Sequence, residues 1–174
     1  EDEAYNEAEV QRAVQYAKQY PDIIKMIAIG NEAMVHWATS YFVPPSVILK
    51  WVNYLQELKS KGDLPSDLWI TSSDDFAAWG GASDNYHTED LNRLIAAVDF
   101  ISMHTYPFHN SHYSPDYWYS RDPRLSKIEK IYSSMQRAGE FAIGQYNDVK
   151  QYILSLGIDK PIHIGETGWA TTSN

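Results

Sequence analysis

The sequence predicts an α/β fold built on a parallel sheet. Four short apolar runs, typical of buried strands, alternate along the chain with segments that have the 3.6-residue periodicity of amphipathic helices. The loops that follow these runs are long and rich in polar and aromatic residues, whereas the turns that precede them are short. This asymmetry is typical of a barrel, or of an open α/β sheet, with a functional site at the carboxyl ends of the strands.

The first half of the chain contains two helix patterns and two strand patterns. The apolar periodicity predicts a helix over 3–20 and a strand over 23–29. A second helix is predicted to begin at Pro44, because proline is tolerated in a first helical turn, and to end at Gly62. The run 68–72 is predicted to be the second strand.

The second half repeats this alternation. Thr88 is predicted to cap a short helix, and the third strand is predicted over 99–103. Two helix patterns follow a long loop, the first at 128–135 and the second at 142–157. The last predicted strand is 162–164.

Length and composition indicate one domain over 1–174. A chain of 174 residues with 44% hydrophobic residues can bury a substantial core. A complete (β/α)8 (TIM) barrel needs roughly 250 residues, so a barrel would be incomplete here, with a missing segment that covers the open strand edges. The first residue is Glu1 and not Met, which favours a processed or partial chain.

Charge and composition exclude several classes of function. The net charge of −9, without a Lys/Arg cluster, argues against a nucleic-acid partner. The absence of cysteine excludes disulfides, zinc–thiolate sites and thiol catalysis. No apolar run is long enough for membrane insertion, no signal peptide is visible, and no G-x-G-x-x-G follows a predicted strand. We therefore predict no nucleic acid, no membrane insertion and no dinucleotide site.

Two predicted strands end in the same way, with glycine and then glutamate. The segments are IAIGNE at 27–32 and IHIGETGW at 162–169. Carboxyl ends of parallel strands meet at one edge of a sheet, so Glu32 and Glu166 are predicted to lie together. Retaining glycoside hydrolysis needs such a pair, one carboxyl protonated and one ionised. The alternative for each glutamate alone is a helix cap or a surface ion pair.

These two segments carry a family resemblance. Together, IGNE at 29–32 and GETGW at 165–169 resemble family 17 of the glycoside hydrolases, the β-1,3-glucanase or laminarinase family of the retaining (β/α)8 clan. The resemblance implies that Glu32 is the acid/base, that Asn31 binds the sugar and that Glu166 is the nucleophile. It also implies that the chain covers about strands 4 to 7 of the barrel, with the intervening helices.

A third segment, HTYP at 104–107, extends the resemblance. It is similar to the sixth-strand segment of the family, which implies that Tyr106 orients the nucleophile. Plant members have asparagine where this chain has His104, which places the chain nearer the bacterial branches. We predict that His104 also reaches the substrate.

Aromatic residues are frequent in the loops after the predicted strands. Sugar rings stack on exposed aromatic side chains, and Trp169 directly after the proposed nucleophile is predicted to be such a platform. For each of the others, packing within a loop or core is the commoner role. These others are Trp37, Tyr41, Phe42, Trp79, Phe108, Tyr113 and Trp118.

Three further sets of polar residues carry weaker signals. His104, His109 and His112 do not have a recognised zinc-ligand spacing, so no metal site is predicted. Asp74 and Asp75 could bind a sugar hydroxyl or cap a turn, and the cap is favoured. The serines at 72–73 lack the G-x-S-x-G of a hydrolase elbow.

The sequence thus predicts a retaining β-1,3-glucan hydrolase that acts on a β-glucan polysaccharide or oligosaccharide without a cofactor. A β-1,3-glucanosyltransferase would use the same residues, and a catalytically silent glucan-binding domain is the alternative from another class. The resemblance implies a secreted, periplasmic or cell-surface location.

Overall fold

Four parallel strands form the sheet, in the spatial order β1-β2-β3-β4. The computed structural model describes residues 2–82, 84–111, 114 and 118–169. Each strand pairs in parallel with the next one in the chain, so the connections cross over and contain the helices. This arrangement confirms the predicted α/β fold with a parallel sheet. The strands are β1 (Met26–Asn31), β2 (Trp69–Asp75), β3 (Ile101–Thr105) and β4 (Ile162–Thr167).

The helices begin and end at residues that suit helix termini. Thr88 accepts a hydrogen bond from the Leu91 amide, which confirms the predicted cap. Pro45 stands at the start of its helix, as predicted. The helices are α1 (Glu3–Gln19), α2 (Pro45–Ser60), α3 (Glu89–Ala97), the short α4 (Pro107–Asn110) and α5 (Lys127–Ser155), with a π turn at Ala77–Gly81 and a 3-10 turn at Asp84–Tyr86. None of the described helices is long and apolar enough to cross a membrane.

The prediction of two helices between 128 and 157 is wrong, because α5 is one continuous helix of 29 residues. Gly139 and Gly144 lie within it at a cost of about 1 kcal/mol each, and no proline interrupts it. Ser126 and Glu129 form a capping box at its start. The sequence pattern is divided because Ile131 and Tyr132 in the first half are exposed, whereas the second half buries Val149 and Ile153.

All four strands extend further toward their carboxyl ends than the apolar runs predicted. β2 continues from Ser72 to Asp75, and β3 from Met103 to Thr105. The added residues are polar, so a prediction based on apolar runs ends before them. Backbone pairing does not depend on the side chain, however, and it carries these polar groups to the end of the sheet.

The core lies between one face of the sheet and the helices. Each fully buried Leu, Ile or Val contributes about 1.5–3 kcal/mol of transfer free energy, which holds the strands in register. The central residues of this core are Val52, Leu55, Ile70, Leu91, Leu94, Ile95, Ile101, Met103, Val149 and Ile153.

The other face of the sheet is partly open. The rings of Trp69, Phe100 and His163 contact one another near the amino ends of the strands. Met26 in β1 is 57% exposed on this face, and Ile164 in β4 is 45% exposed on the core face beside Met103, so the outer strands lack the cover that the central strands have.

Candidate active site at the carboxyl edge of the sheet

The glycine before each predicted glutamate lies in a β-bulge. In β1 the bulge falls between Ala28 and Asn31, and Gly30 has φ +89° within it. In β4 the extra residue is Gly165, between the residues that pair with Met103 and His104. A bulge re-aims the residues that follow it. The repeated strand-glycine-glutamate pattern therefore corresponds to two bulges that direct two carboxylates.

Glu32 directly follows β1 in a backbone conformation that side chains rarely adopt. Its φ is +46°, and its amide donates a hydrogen bond to the carbonyl oxygen of Ser73, 2.9 Å away. A left-handed conformation costs a non-glycine residue of the order of 1–3 kcal/mol, and such strain concentrates at functional sites. The Glu32 side chain is 27% exposed.

Glu166 lies in β4, paired in register with His104. The Tyr106 hydroxyl donates a hydrogen bond of 2.8 Å to Glu166 Oε2. This bond, together with burial and the negative charges of both glutamates, raises the pKa of Tyr106 to about 12. Tyr106 therefore remains a donor throughout the physiological pH range, and the predicted donor to Glu166 is in place.

His104 joins the two carboxylates from below. Its Nδ1 atom lies 3.1 Å from Glu32 Oε1 and 3.6 Å from Glu166 Oε2. One oxygen of each glutamate and one nitrogen of His104 all lie within 4.8 Å of one another. Within the described residues, this is the group whose ligand atoms could hold a divalent cation. The same spacing suits carboxylate chemistry on a substrate without a metal.

A cleft of about 970 Å³ opens above both carboxylates. Trp37 and Trp169, which are 63% and 52% exposed, provide its aromatic surface. This volume suits a ligand with several rings. The cleft is lined by Glu32, Trp37, Asp75, Phe76, Ala77, Tyr106, His109, Asn110, Glu166, Gly168 and Trp169.

The chain is similar to an enzyme of known structure. Its sequence is 59% identical to that of an endo-laminarinase from Formosa Hel1_33_131, and the two structures align with a TM-score of 0.91. The alignment covers 96% of this chain and 43% of that chain, so the chain spans less than half of the length of the enzyme. No protein-family model and no curated protein matches the sequence.

Most of the predicted site residues meet at this edge. Glu32, Glu166, Tyr106 and Trp169 line the cleft together. Asn31 ends β1 and is exposed, but it is not part of the cleft lining, so its predicted contact with a sugar stays a prediction. His104 is fully buried beneath the cleft and contacts Glu32 and Ser73. Its burial gives no support to the predicted direct contact with substrate.

The two aspartates of β2 have separate roles. Asp74 accepts hydrogen bonds from the amides of Met34 and Asp75, so it ties the loop after β1 to β2. Burial raises its pKa to about 7. Asp75 caps the following turn through the Ala77 amide and also lines the cleft. Burial raises the pKa of Asp75 as well, and the charge of Glu32 adds to this effect.

The remaining aromatic predictions divide between cleft and packing. Trp79 is fully buried and donates to the Ser102 carbonyl. Phe108 lies between Trp118 and Trp169, with ring centroids 4.6 and 6.1 Å away. Phe42 packs against His36, and Tyr41 is exposed. Tyr113 and His112 lie outside the described residues.

Sequence reasoning missed the part of the site that the serines form. Ser73 contacts Ser102 and also His104, the histidine that lies against both glutamates. The available signal was the two-residue alternation of strands, because 73 and 75 share one face of β2 while 102 and 104 share one face of β3.

Proposed function

We propose that this chain carries the catalytic carboxylates of a β-1,3-glucan-cleaving glycoside hydrolase. The observation that carries the proposal is the pair Glu32 and Glu166, with oxygens within 4.8 Å of each other at the base of an open cleft. Retaining glycosidases use carboxyl groups about 5–5.5 Å apart, whereas inverting ones need about 6.5–9.5 Å for a water molecule. The spacing therefore favours retention by double displacement.

In the first step, an oxygen of Glu166 attacks the anomeric carbon while Glu32 donates its proton to the glycosidic oxygen. The carbon–oxygen bond breaks, and the leaving sugar departs with that proton. In the second step, water attacks the anomeric carbon, Glu32 accepts a proton from the water, and the bond to Glu166 breaks. Tyr106 engages Glu166 Oε2 and leaves Oε1 available to form the new bond.

Three observations support β-1,3-glucan as the substrate. The cleft has two exposed tryptophans, which suit the C–H faces of sugars. The chain is 59% identical to an endo-laminarinase over nearly all of its own length. The sequence segments that contain Glu32 and Glu166 also resemble family 17 of the glycoside hydrolases, and we propose membership of that family.

We also propose that the four strands are strands 4 to 7 of a (β/α)8 barrel and that 1–174 is part of one catalytic domain. Within the described residues, β1 and β4 each pair on one side, and their apolar side chains Met26 and Ile164 are half exposed. The alignment to less than half of the endo-laminarinase agrees with this proposal. If further strands pair with β1 and β4 in the active protein, their outer amides will exchange slowly with D₂O. Fast exchange at both edges contradicts the barrel.

The test of function is reducing-sugar release from laminarin by the full chain, compared with mannan and cellulose. We expect release from laminarin and much less from the other two. The anomeric configuration of the first product, read by proton NMR, distinguishes retention from inversion. Oligosaccharides longer than the substrate indicate a glucanosyltransferase. Laminarin binding without any release favours a silent glucan-binding domain and contradicts our proposal.

A 2-deoxy-2-fluoro glycoside with a good leaving group gives a second test, because it slows hydrolysis of the glycosyl-enzyme. Peptide mapping of the trapped enzyme should place the label on Glu166. A label on Glu32 would reverse the two proposed roles. As a matched control, Glu7→Gln removes one exposed carboxylate from α1, far along the chain from both glutamates, and it should leave turnover unchanged.

A further inference from the structure

A continuous chain of polar side chains lies beneath Glu32. His104 Nδ1 contacts Glu32 Oε1 at 3.1 Å, and His104 Nε2 contacts Ser73 Oγ at 2.7 Å. Ser73 Oγ in turn contacts Ser102 Oγ at 2.8 Å. His104 is fully buried and Ser102 is 8% exposed. These polar side chains therefore contact Glu32 from the buried side of the active site and not from the cleft.

The atoms around His104 Nδ1 indicate that this nitrogen carries a hydrogen. Two carboxylate oxygens lie within 3.6 Å of it, and the nearer one belongs to Glu32. A nitrogen lone pair directed at two carboxylates would be repelled, whereas an N–H is attracted to both. Asp74 and Asp75 of β2 are the other titratable groups that interact electrostatically with His104.

Ser73 holds the Glu32 residue in two ways. Its carbonyl oxygen accepts a hydrogen bond from the Glu32 amide, and this bond fixes the strained backbone of Glu32. Its hydroxyl contacts Nε2 of the imidazole that contacts the Glu32 side chain. In a neutral ring the Ser73 hydroxyl donates to Nε2 and so leaves the hydrogen on Nδ1.

Gly165 leaves the room that the two serines occupy. A Cβ at this position would lie 2.4 Å from Ser102 Oγ and 3.1 Å from Ser73 Oγ. Real Cβ atoms do not approach an oxygen so closely, so a side chain here would displace the serine pair. The absence of a side chain at Gly165, directly before Glu166, therefore makes room for the two serines that lie beneath Glu32.

We propose that His104 is a positioning residue for Glu32, held in place by Ser73 and Ser102. The inference rests on the proposed glycosidase function, in which Glu32 is the acid/base. The Nδ1–H of His104 binds one carboxyl oxygen of Glu32 and so reserves the other oxygen for the proton that is transferred to the leaving group. This role does not require His104 to touch the substrate.

The test uses two substitutions that separate the two ring nitrogens. In His104→Asn, the amide nitrogen can take the place of Nδ1 and still donate to Glu32. In His104→Gln, the longer side chain places its amide near Nε2, where it contacts Ser73 and leaves Glu32 without its donor. Ser73→Ala removes the hydroxyl that holds the ring. Ser72→Ala is the matched control, because the Ser72 hydroxyl binds the Ile29 carbonyl on the other face of β2.

Each variant of the full chain is assayed on two substrates, laminarin and a dinitrophenyl β-laminaribioside. The dinitrophenolate leaves without protonation, so only laminarin requires a correctly placed acid. We expect His104→Gln and Ser73→Ala to lower kcat on laminarin by roughly 10- to 100-fold, with KM within about threefold. The rate of the first dinitrophenolate burst should be nearly unchanged, because only the first step proceeds without Glu32. His104→Asn and Ser72→Ala should stay within about threefold of the parent on both substrates.

A loss in the burst rate as large as the loss in kcat on laminarin would indicate a merely structural role and overturn the proposal, as would unchanged kcat on laminarin in His104→Gln. Nitrogen-15 NMR of the imidazole gives a readout that does not depend on activity: Nδ1 should carry a hydrogen in the parent protein. An unprotonated Nδ1 overturns the inference even if the enzyme is active. If the parent cleaves neither substrate, the proposed function fails, while the NMR result still decides how His104 contacts Glu32.

Discussion

Glu32 and Glu166 lie at the same edge of the sheet, but their surroundings differ. Glu32 has a strained backbone with φ +46°, an amide bonded to Ser73, and a side chain bonded to buried His104. Glu166 lies within β4 directly after its bulge, has a side chain that is 40% exposed, and accepts its hydrogen bond from Tyr106 at the cleft surface. One carboxyl is held from within the sheet and the other from the cleft.

This difference suits two different tasks. A proton donor must keep one oxygen directed at the leaving group in both steps, so a buried support that does not move with the substrate is an advantage. A nucleophile must form and break a covalent bond, and it needs an accessible oxygen with a donor on the other one. The predictions below test this division, beginning with the largest expected effect.

Removal of the proposed nucleophile should have the greatest effect. Glu166→Gln should lower turnover of every substrate by about 10⁴-fold or more, because no covalent intermediate can form. Turnover of laminarin and of an activated aryl laminaribioside provides the measurement. Near-normal turnover of either substrate by this variant would falsify the assignment of Glu166.

Removal of the proposed acid/base should have a smaller and more selective effect. Glu32→Gln should lower laminarin turnover by about 10²- to 10⁴-fold but slow the first step on the activated substrate much less. A burst of dinitrophenolate followed by slow turnover is the expected time course, since the glycosyl-enzyme forms and then persists. If both substrates lose the same factor without a burst, the two carboxyls do not have separate roles.

Loss of the donor to Glu166 should come next. Tyr106→Phe removes a hydrogen bond to a charged group, which is worth about 1.5–3 kcal/mol and corresponds to a roughly 10- to 100-fold lower kcat. Both substrates should be affected alike, because the nucleophile acts on both. A selective loss on laminarin would instead place Tyr106 with the acid. Tyr41→Phe, at an exposed tyrosine outside the cleft lining, is the control.

Buried Asp74, which ties the loop after β1 to β2, should make the stability of the protein depend on pH. The pKa of Asp74 is about 7 in the folded protein and about 4 when unfolded, so the folded state binds more protons in this interval. The stabilising contribution is complete below pH 4, and it is lost as pH rises through 7, by roughly 1.4 kcal/mol per unit.

Urea unfolding of the full chain between pH 5 and 9 measures this dependence. Asp74→Asn should be less stable at pH 5, because an amide cannot accept both backbone hydrogen bonds, and its unfolding free energy should vary less with pH. Asp22→Asn, at an exposed turn before β1, should keep the parental slope. Identical slopes in the parent and Asp74→Asn would mean that Asp74 ionises without cost.

The smallest effects are expected at the aromatic surface of the cleft. Trp169→Ala and Trp37→Ala should each raise KM for laminarin by roughly 3- to 10-fold, because stacking of this kind is worth about 0.5–1.5 kcal/mol. The kcat values should change less than in Tyr106→Phe. A KM that stays at the parental value in both variants would show that the glucan does not stack on these rings.

The meeting of the two glutamates is one of the features that the sequence alone predicts. Strand-glycine-glutamate occurs twice, and this repetition was enough to predict that Glu32 and Glu166 meet. The α/β class and the cap at Thr88 were likewise accessible, because they depend on periodicity and on local hydrogen bonds. The continuity of helix α5 was not accessible in this way, since its first half exposes Ile131 whereas its second half buries Val149 and Ile153.

Local patterns determined the strands, most helices and the identity of the two carboxylates, since all of these depend on residues close together in the chain. The bulge geometry, the left-handed backbone of Glu32 and the contact between His104, Ser73 and Ser102 depend on the register of β1, β2, β3 and β4 against one another. That register follows from burial across the whole sheet, and a shift of one residue would turn each of these side chains to the opposite face.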